Sequence, residues 1–119
     1  MAKETKPLVL KEESFDLLDI RVGKVLEVEL EPSAPKKSYR LRIDFGGYGI
    51  KTSVARLTQH SADELLGQLV LAVLNFPPRQ VGDVLSEVLT LGVQLPKVDS
   101  GEATFITTAR DVRVGSKLS

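Results

Sequence analysis

The chain has 119 residues, enough for one domain with its own hydrophobic core and too few for a second. It carries 16 basic and 16 acidic residues, so its formal net charge is zero and any affinity for a polyanion must come from a local patch. It has no cysteine, which excludes disulfides and thiolate zinc sites and fits a cytoplasmic setting. No apolar run approaches the roughly 18 residues of a membrane span, and the N-terminus lacks the apolar core of a signal peptide, so we expect no membrane insertion.

Residues 1–13 are mostly polar and charged, and we interpret them as an N-terminal arm that precedes a domain covering residues 14–119. The exception is an apolar Leu-Val-Leu triplet at positions 8–10, which could be a short edge strand or an arm that leans on a partner. Ser14 is a candidate N-cap for a single helical turn that starts at Phe15 and leads into the first strand.

The first predicted strand runs from residue 20 to residue 30, and its period-2 alternation assigns the side chains to two faces. One face carries Ile20, Val22, Leu26, Val28 and Leu30, and the other carries Arg21, Gly23, Val25, Glu27 and Glu29. The glycine at position 23 suggests a bend or a bulge. The second strand, residues 39–45, alternates strictly, with a core face of Tyr39, Leu41, Ile43 and Phe45 and an opposite face of Arg40, Arg42 and Asp44.

Residues 31–38 contain two prolines and two lysines and are predicted to form a loop. A glycine-rich hairpin follows the second strand at residues 46–49, and residues 50–55 return as the third strand. Four cationic side chains could then collect on one sheet face, namely Arg40, Arg42, Lys51 and Arg56. Such a cluster can bind phosphate groups or can be a solvated sheet face, and both interpretations remain open.

A capping box precedes a short helix in the middle of the chain. Ser61 and Glu64 lie three positions apart, so the hydroxyl and the carboxylate can each accept a free backbone N–H at the helix start. The helix should run from about residue 62 to residue 66 and end at Gly67. His60 is expected to be a surface residue near this helix start.

The chemistry-bearing residues argue against catalysis. One histidine and no cysteine provide neither a metal site nor a catalytic triad, so we expect no metal, no cofactor and no enzyme activity. The remaining enzymatic alternative is a carboxylate pair of Asp44 with Asp83 or Glu87.

Residues 75–91 are where we expect the functional surface. An apolar run at 69–75 predicts a strand before the loop, and residues 88–91 predict a strand after it. Pro77 and Pro78 fix backbone angles, which makes the loop stiff. Polar side chains suited to hydrogen-bonding bases and phosphates collect there, namely Asn75, Arg79, Gln80, Ser86 and Glu87. The alternative is a tight proline turn whose polar residues are merely solvated.

The order of the elements predicts the fold class. Residues 94–101 should form a loop and residues 104–108 a final strand. Three strands, a short helix and further strands are the layout of an all-β OB-fold, a five-stranded Greek-key barrel with a short helix between strands 3 and 4, here with terminal extensions. The open face of such a barrel commonly binds single-stranded or looped nucleic acid.

Five motifs are distributed over most of the span of residues 15–118: Asp19-Ile-Arg-Val-Gly-Lys-Val25, Leu41-Arg-Ile-Asp-Phe-Gly46, Gly67, Asn75-Phe-Pro-Pro-Arg-Gln80 and Ser86-Glu-Val-Leu-Thr-Leu-Gly92. In these motifs the chain resembles the family of tRNA-binding domains and, within it, the CsaA branch. The resemblance implies an OB-fold homodimer with one tRNA-binding face per subunit. The binding residues that it implies are Asn75, Arg79, Ser86 and Glu87, with support from Lys51 and Ser53.

The resemblance also implies that unfolded or export-bound polypeptide is held in apolar cavities near the dimer interface, with or without a role in RNA binding. Two departures from the family pattern concern the RNA surface. The segment Lys51-Thr-Ser-Val-Ala-Arg56 has Val54 and Arg56 where the branch usually carries a hydroxyl and an amide, and no tyrosine precedes the capped helix. A ring that could stack on a base is therefore missing, and Tyr48 at the hairpin tip is the ring freest to replace it.

Overall fold

The computed structural model describes residues 2–98 and 101–119. Along these residues the strands and the single α-helix are β1 Ile20–Leu30, β2 Tyr39–Asp44, β3 Ile50–Ala55, α1 Ala62–Leu65, β4 Leu69–Val73, β5 Arg79–Val81, β6 Val84–Ser86, β7 Leu89–Thr90, β8 Gly92–Gln94 and β9 Ala103–Phe105. Short 3₁₀ turns lie at Lys11–Glu13, Phe15–Leu17 and Gly46–Tyr48. Met1 of the predicted arm, and Asp99 and Ser100 of the predicted loop, lie outside the described residues.

Five strands form one antiparallel sheet in the order β3-β2-β1-β4-β7. The sheet curls until residues after β6 meet β3, where the Glu87 N–H donates to the Thr52 carbonyl at 2.8 Å, so the barrel is nearly closed. This arrangement confirms the predicted all-β OB-fold, with α1 between the third and fourth barrel strands. None of the helices in the described part of the chain is long and apolar enough to cross a membrane.

The barrel interior is built on the alternation of β2. The side chains predicted for its core face are all buried, and they pack with Val25, Leu57, Leu65, Val70, Ala72 and Val88. The predicted capping box is also confirmed, because Ser61 Oγ accepts the Glu64 N–H at 3.2 Å and the Glu64 carboxylate accepts the Ser61 N–H at 3.0 Å. Gly67 follows with φ +82°, a left-handed conformation that ends the helix.

The predicted faces of the first strand are wrong in its second half. The pairing of β1 with β2 shifts register between Val25 and Glu27, where a bulge inserts an extra residue. Val25, just before the bulge, is buried in the barrel, while Leu26 in the bulge and Leu30 beyond it are exposed. Gly23 is not the bulge itself, because it pairs in regular register with Val70 of β4. A Cβ at Gly23 would lie 2.4 Å from Ile43 Cγ2, so the missing side chain leaves room for the barrel core.

A second apolar cluster lies on the opposite face of β1 and β4. It contains Ile20, Val22, Leu71 and Val73, covered by Phe15, Leu18, Leu91, Ile106 and Leu118 from flanking segments. The predicted turn at Phe15 is present as a 3₁₀ turn with Ser14 at the N-cap position, but the Ser14 side chain makes no capping hydrogen bond. Ser14 Oγ donates to the Leu10 carbonyl at 2.6 Å, because two successive 3₁₀ turns direct this hydroxyl back to the first turn.

Two short hairpins were not predicted. Residues 79–86 form the β5–β6 hairpin, and β8 pairs with β9, which spans residues 103–105 instead of 104–108. His60 is also not the surface residue that was expected. Its ring packs 5.0 Å from the Phe105 ring, with Nδ1 3.1 Å from Glu64 Oε2 and Nε2 2.9 Å from Thr104 Oγ1. His60 thus connects α1 to β9.

Candidate functional site

Arg79 is the first residue of the β5–β6 hairpin and is exposed. Its cross-strand neighbour is Ser86. In the described part of the chain, its guanidinium has neither a hydrogen-bond acceptor nor an ion-pair partner. Arg79 lines two surface cavities. Arg79 is therefore a cation held by a short hairpin and available to a ligand.

The first cavity has a volume of about 180 Å³, and we call it the Phe76 cavity. Its apolar lining is Phe76, Pro77, Val88 and Leu89, and its polar lining is Arg79, Ser86 and Glu87. Phe76 is exposed although it is apolar, and Pro77 and Pro78 follow it in the chain. The cavity thus combines an aromatic ring with a cation and a carboxylate.

The second cavity, of about 270 Å³, lies between the loop after β1 and strand β5, and we call it the Val81 cavity. The loop contributes Pro35, Lys36 and Ser38, the sheet contributes Val54 and Arg56, and the hairpin contributes residues 79–82. Lys36 is exposed, so this cavity is cationic on the side of the loop. The two cavities share Arg79.

Hydrogen bonds hold the loop after β1 against the tip of the β5–β6 hairpin. Ser33 Oγ accepts the Asp83 N–H at 2.8 Å and donates to Glu31 Oε2 at 2.6 Å. Gly82 has φ +57° and leaves no room for a side chain, since a Cβ would lie 2.2 Å from the Ser33 carbonyl oxygen. Arg40 donates to Glu31 Oε1 at 3.0 Å from the next strand.

These bonds also change the acidity of Glu31. The Ser33 hydroxyl and then the Ser33 N–H, with a smaller contribution from Arg40, hold the pKa of the buried Glu31 carboxyl below its ordinary value. Arg40 additionally pairs with Glu29. Arg40 therefore forms ion pairs with Glu29 and Glu31 and is not an unpaired cation on the sheet face.

Three of the predicted binding residues complete the barrel instead of pointing into solvent. Glu87 Oε1 accepts the Thr52 N–H at 2.9 Å, and Ser86 Oγ accepts the Val54 N–H at 2.9 Å. Ser53 is fully buried, and its hydroxyl donates to the Val88 carbonyl at 3.2 Å. The Ser-Glu-Val motif thus closes the barrel with side-chain bonds, and Ser53 is not accessible to a ligand in this structure.

Asn75 holds the N-terminal segment against the end of β4. Its Oδ1 accepts the Asp19 N–H at 2.8 Å, and its Nδ2 donates to the Leu17 carbonyl at 2.7 Å. Both groups of the amide are therefore engaged within the protein. Gln80 is engaged in a similar way, because its Nε2 donates to the Gly82 carbonyl at 2.9 Å within the hairpin.

The cationic residues of β2 and β3 do not form one cluster. Lys51 lies opposite Ile43 and shares its face, whereas Arg42 lies opposite Thr52 on the other face and donates to Thr52 Oγ1 at 3.1 Å. The predicted common face for Lys51, Arg40 and Arg42 is therefore wrong, because residues 51 and 52 of a strand point to opposite sides. Arg56 pairs with the buried Glu102 at 3.0 Å.

The ring of Tyr48, which was predicted to be free to stack on a base, already contacts a cation within the protein. Arg21 lies over Tyr48, 4.5 Å from the ring centroid, and its Nε is 2.7 Å from Asp19 Oδ1. One face of Tyr48 is thus covered, which leaves the exposed Phe76 as the ring that lies in a cavity. Residues 2–98 and 101–119 contain no group of three or more His, Cys, Asp or Glu side chains that could hold a metal ion.

The sequence did not reveal the residues that the loop after β1 contributes to the site. Pro35, Lys36 and Val81 line the Val81 cavity and were not among the predicted site residues. A usable signal was present at Val81-Gly-Asp-Val84, since a Gly-Asp pair between two valines is typical of a two-residue hairpin. The pairing of this hairpin with a distant loop could not be inferred from spacing alone.

Comparison with solved structures identifies close structural relatives. The crystal structure of the chaperone CsaA from Bacillus anthracis superposes with a TM-score of 0.83 at 35% identity, over 94% of this chain and all of that one. The CsaA chaperone protein from Picrophilus torridus superposes with a TM-score of 0.82 at 35% identity, over 93% of this chain and all of that one.

Sequence comparison adds a family assignment. Methionine--tRNA ligase from Pyrococcus abyssi is 32% identical over 117 residues, which are 98% of this chain and 15% of that protein. The chain thus spans about 15% of the length of the curated relatives that it matches first. The family described as "Putative tRNA binding domain" matches residues 20–117. The chain belongs to this tRNA-binding domain family and has a CsaA-like structure.

Proposed function

We propose that the chain is a non-catalytic tRNA-binding protein of the CsaA type, that it acts in the cytoplasm, and that the surface around Arg79 holds the RNA. Family membership supports tRNA as the ligand. The observation that carries the choice of surface is the exposed Arg79, which lines both cavities. Because the net charge of the chain is zero, a local cationic surface must attract the phosphates.

The site residues fall into two groups in this proposal. Side chains that contact RNA directly are Arg79, Lys36 and Lys51. Side chains that shape the surface from within the protein are Asn75, Gln80, Ser86, Ser53, Arg56 and Arg42, and each of them is engaged with another part of the protein. Glu87 does both, because one carboxylate oxygen accepts the Thr52 N–H while the residue lines the Phe76 cavity.

Titration of labelled tRNA at increasing salt tests the proposal. Phosphate contacts release counterions, so the logarithm of the binding constant should fall linearly with the logarithm of the salt concentration. Single-stranded DNA of equal length should compete more weakly than tRNA, because it lacks the folded shape and the 2′-hydroxyls. Salt-independent binding, or equal competition by that DNA, would contradict the proposal.

A second candidate function is that of a dimeric holder for unfolded or export-bound polypeptide. The apolar triplet of the N-terminal segment favours it, because Leu8, Val9 and Leu10 are 97%, 75% and 61% exposed. Residues 2–10 form no strand within the chain, so the triplet is available to a second subunit as an extended arm. Such a two-fold exchange of arms would give a homodimer.

Sedimentation of the full chain and of a Leu8→Ser, Leu10→Ser variant tests the arm. The wild type should sediment as a dimer and the variant as a monomer, while a Lys3→Ser, Lys6→Ser control should stay dimeric. Suppression of aggregation of an unfolded test protein without ATP would support peptide holding. A monomeric wild type that leaves aggregation unchanged would remove the second candidate.

A further inference from the structure

We propose that Arg79 binds the phosphate between two consecutive nucleotides, whose bases are turned out of an RNA loop into the Phe76 and Val81 cavities. This inference rests on the proposed function and specifies which part of the RNA is read. Paired nucleotides cannot enter either cavity, because their bases are stacked inside the helix. The ligand is therefore an unpaired dinucleotide step.

The arrangement of the two cavities supports a dinucleotide. Arg79 lines both cavities, whose volumes are about 180 Å³ and 270 Å³. Consecutive nucleotides of one strand share a single phosphodiester, so a cation shared by two base sites is suited to bind that phosphate. A guanidinium can donate two parallel hydrogen bonds to a phosphate, which a lysine cannot do.

The linings of the cavities suit bases. The Phe76 cavity is lined by Phe76, a residue that is 43% exposed and offers a ring for stacking, and by Leu89, which is 44% exposed. In the Val81 cavity, Pro35 and Val54 supply apolar contact and Lys36 supplies a further cation for the next phosphate. Each cavity is lined by a proline with a fixed backbone angle, Pro77 in one and Pro35 in the other. The loss of conformational entropy on binding should therefore be small.

Glu87 gives the Phe76 cavity a base preference. One carboxylate oxygen accepts the Thr52 N–H, and an ionised carboxylate retains further acceptor positions. Adenine, cytosine and guanine carry an exocyclic amino group that can donate to it, whereas uracil carries carbonyl oxygens in those places. The cavity should therefore favour an amino-bearing base over uracil by about fivefold, the equivalent of one hydrogen bond.

Four labelled RNAs test this inference: three hairpins with the same stem and an all-adenine, all-cytosine or all-uracil loop, and a fully paired duplex. The wild type should bind the adenine and cytosine loops about fivefold more tightly than the uracil loop, and all loops more tightly than the duplex. Glu87→Gln keeps an oxygen for Thr52 but adds an amide donor, so it should remove or reverse the preference against uracil.

Cavity filling provides an independent variant. Leu89→Trp fills the Phe76 cavity from its rim and should weaken binding of the adenine loop about tenfold, the equivalent of about 1.4 kcal/mol. Leu85→Trp is the matched control, because Leu85 in the neighbouring strand β6 is similarly exposed and lines neither cavity. It should leave binding unchanged.

The outcomes separate the two proposals. Equal binding of loops and duplex, or no effect of Leu89→Trp, would overturn the dinucleotide inference while leaving tRNA binding in place. Absence of binding to any of these RNAs and to tRNA would overturn both. Selective loop binding that Leu89→Trp and Glu87→Gln alter in the stated directions would support the inference.

Discussion

Glu87 and Thr52 are joined by two hydrogen bonds that replace a regular strand pairing. The Glu87 N–H donates to the Thr52 carbonyl at 2.8 Å, and the Thr52 N–H donates to the Glu87 carboxylate at 2.9 Å. A side-chain oxygen thus takes the place of a backbone carbonyl at the seam that closes the barrel. The same residue lines the Phe76 cavity, so barrel closure and cavity shape depend on one carboxylate.

We therefore expect Glu87→Ala to lower the free energy of unfolding by about 1–3 kcal/mol, because the partly buried Thr52 N–H loses its acceptor. Glu87→Gln retains an acceptor oxygen and should cost clearly less. Urea denaturation measures both values. Glu12→Ala, at an exposed position of the N-terminal segment, is the control and should change little. Equal stability of Glu87→Ala and wild type would contradict the assigned role.

Gly23 is required by the packing of the barrel interior. A Cβ at this position would lie 2.4 Å from Ile43 Cγ2 and 2.5 Å from Phe45 Cε1, both of which belong to fully buried side chains. Gly23→Ala should therefore destabilise the fold by about 1–3 kcal/mol through overpacking. Gly47→Ala is the matched control, since nothing lies within 4 Å of its Cβ position. Thermal unfolding should separate the two variants, and indistinguishable midpoints would refute the packing argument.

Asn75 should control the order of the N-terminal segment. Asn75→Ala removes the acceptor of the Asp19 N–H and the donor to Leu17, two bonds worth about 1 kcal/mol each. Amide hydrogen exchange at Asp19 should become about fivefold to thirtyfold faster. Gln59→Ala, at an exposed position before the helix, should leave that rate unchanged. Unaltered exchange in Asn75→Ala would show that other contacts hold the segment.

Glu31 should make the stability depend on pH. Its pKa in the folded protein lies below the ordinary value of 4.5, chiefly because the Ser33 hydroxyl donates to it. The ionised carboxylate therefore stabilises the fold above about pH 4.5, and this contribution is lost as the pH falls through the lowered pKa. Glu31→Gln should be less stable than wild type at neutral pH, with a difference that shrinks in acid. Urea midpoints across that range measure it, and a difference independent of pH would contradict the linkage.

Much of the fold could be predicted from the sequence because its signals are local. The alternation from Tyr39 to Phe45 and the capping box at Ser61 and Glu64 each depend on residues a few positions apart, and both are confirmed. The faces of β1 could not be predicted past residue 25, since a bulge reverses the alternation without a residue type that marks it.

The candidate site was less predictable than the fold because its residues come from segments that lie far apart in the sequence. The stretch 75–91 does line the Phe76 cavity, but the Val81 cavity also needs Lys36, about 40 positions earlier along the chain. Polarity alone did not distinguish an available side chain such as Arg79 from Ser53, whose hydroxyl bonds within the barrel. That distinction requires the pairing of β3 with residues 86–90.

The salt dependence of tRNA binding by Arg79→Ala tests the central claim most directly. If Arg79 contacts a phosphate, the variant should bind tRNA about tenfold more weakly, and the slope of log affinity against log salt should fall in magnitude by about one. Arg110→Ala, which removes an exposed cation distant in sequence from both cavities, should retain the affinity and the slope of the wild type. An unchanged slope and affinity in Arg79→Ala would contradict the account.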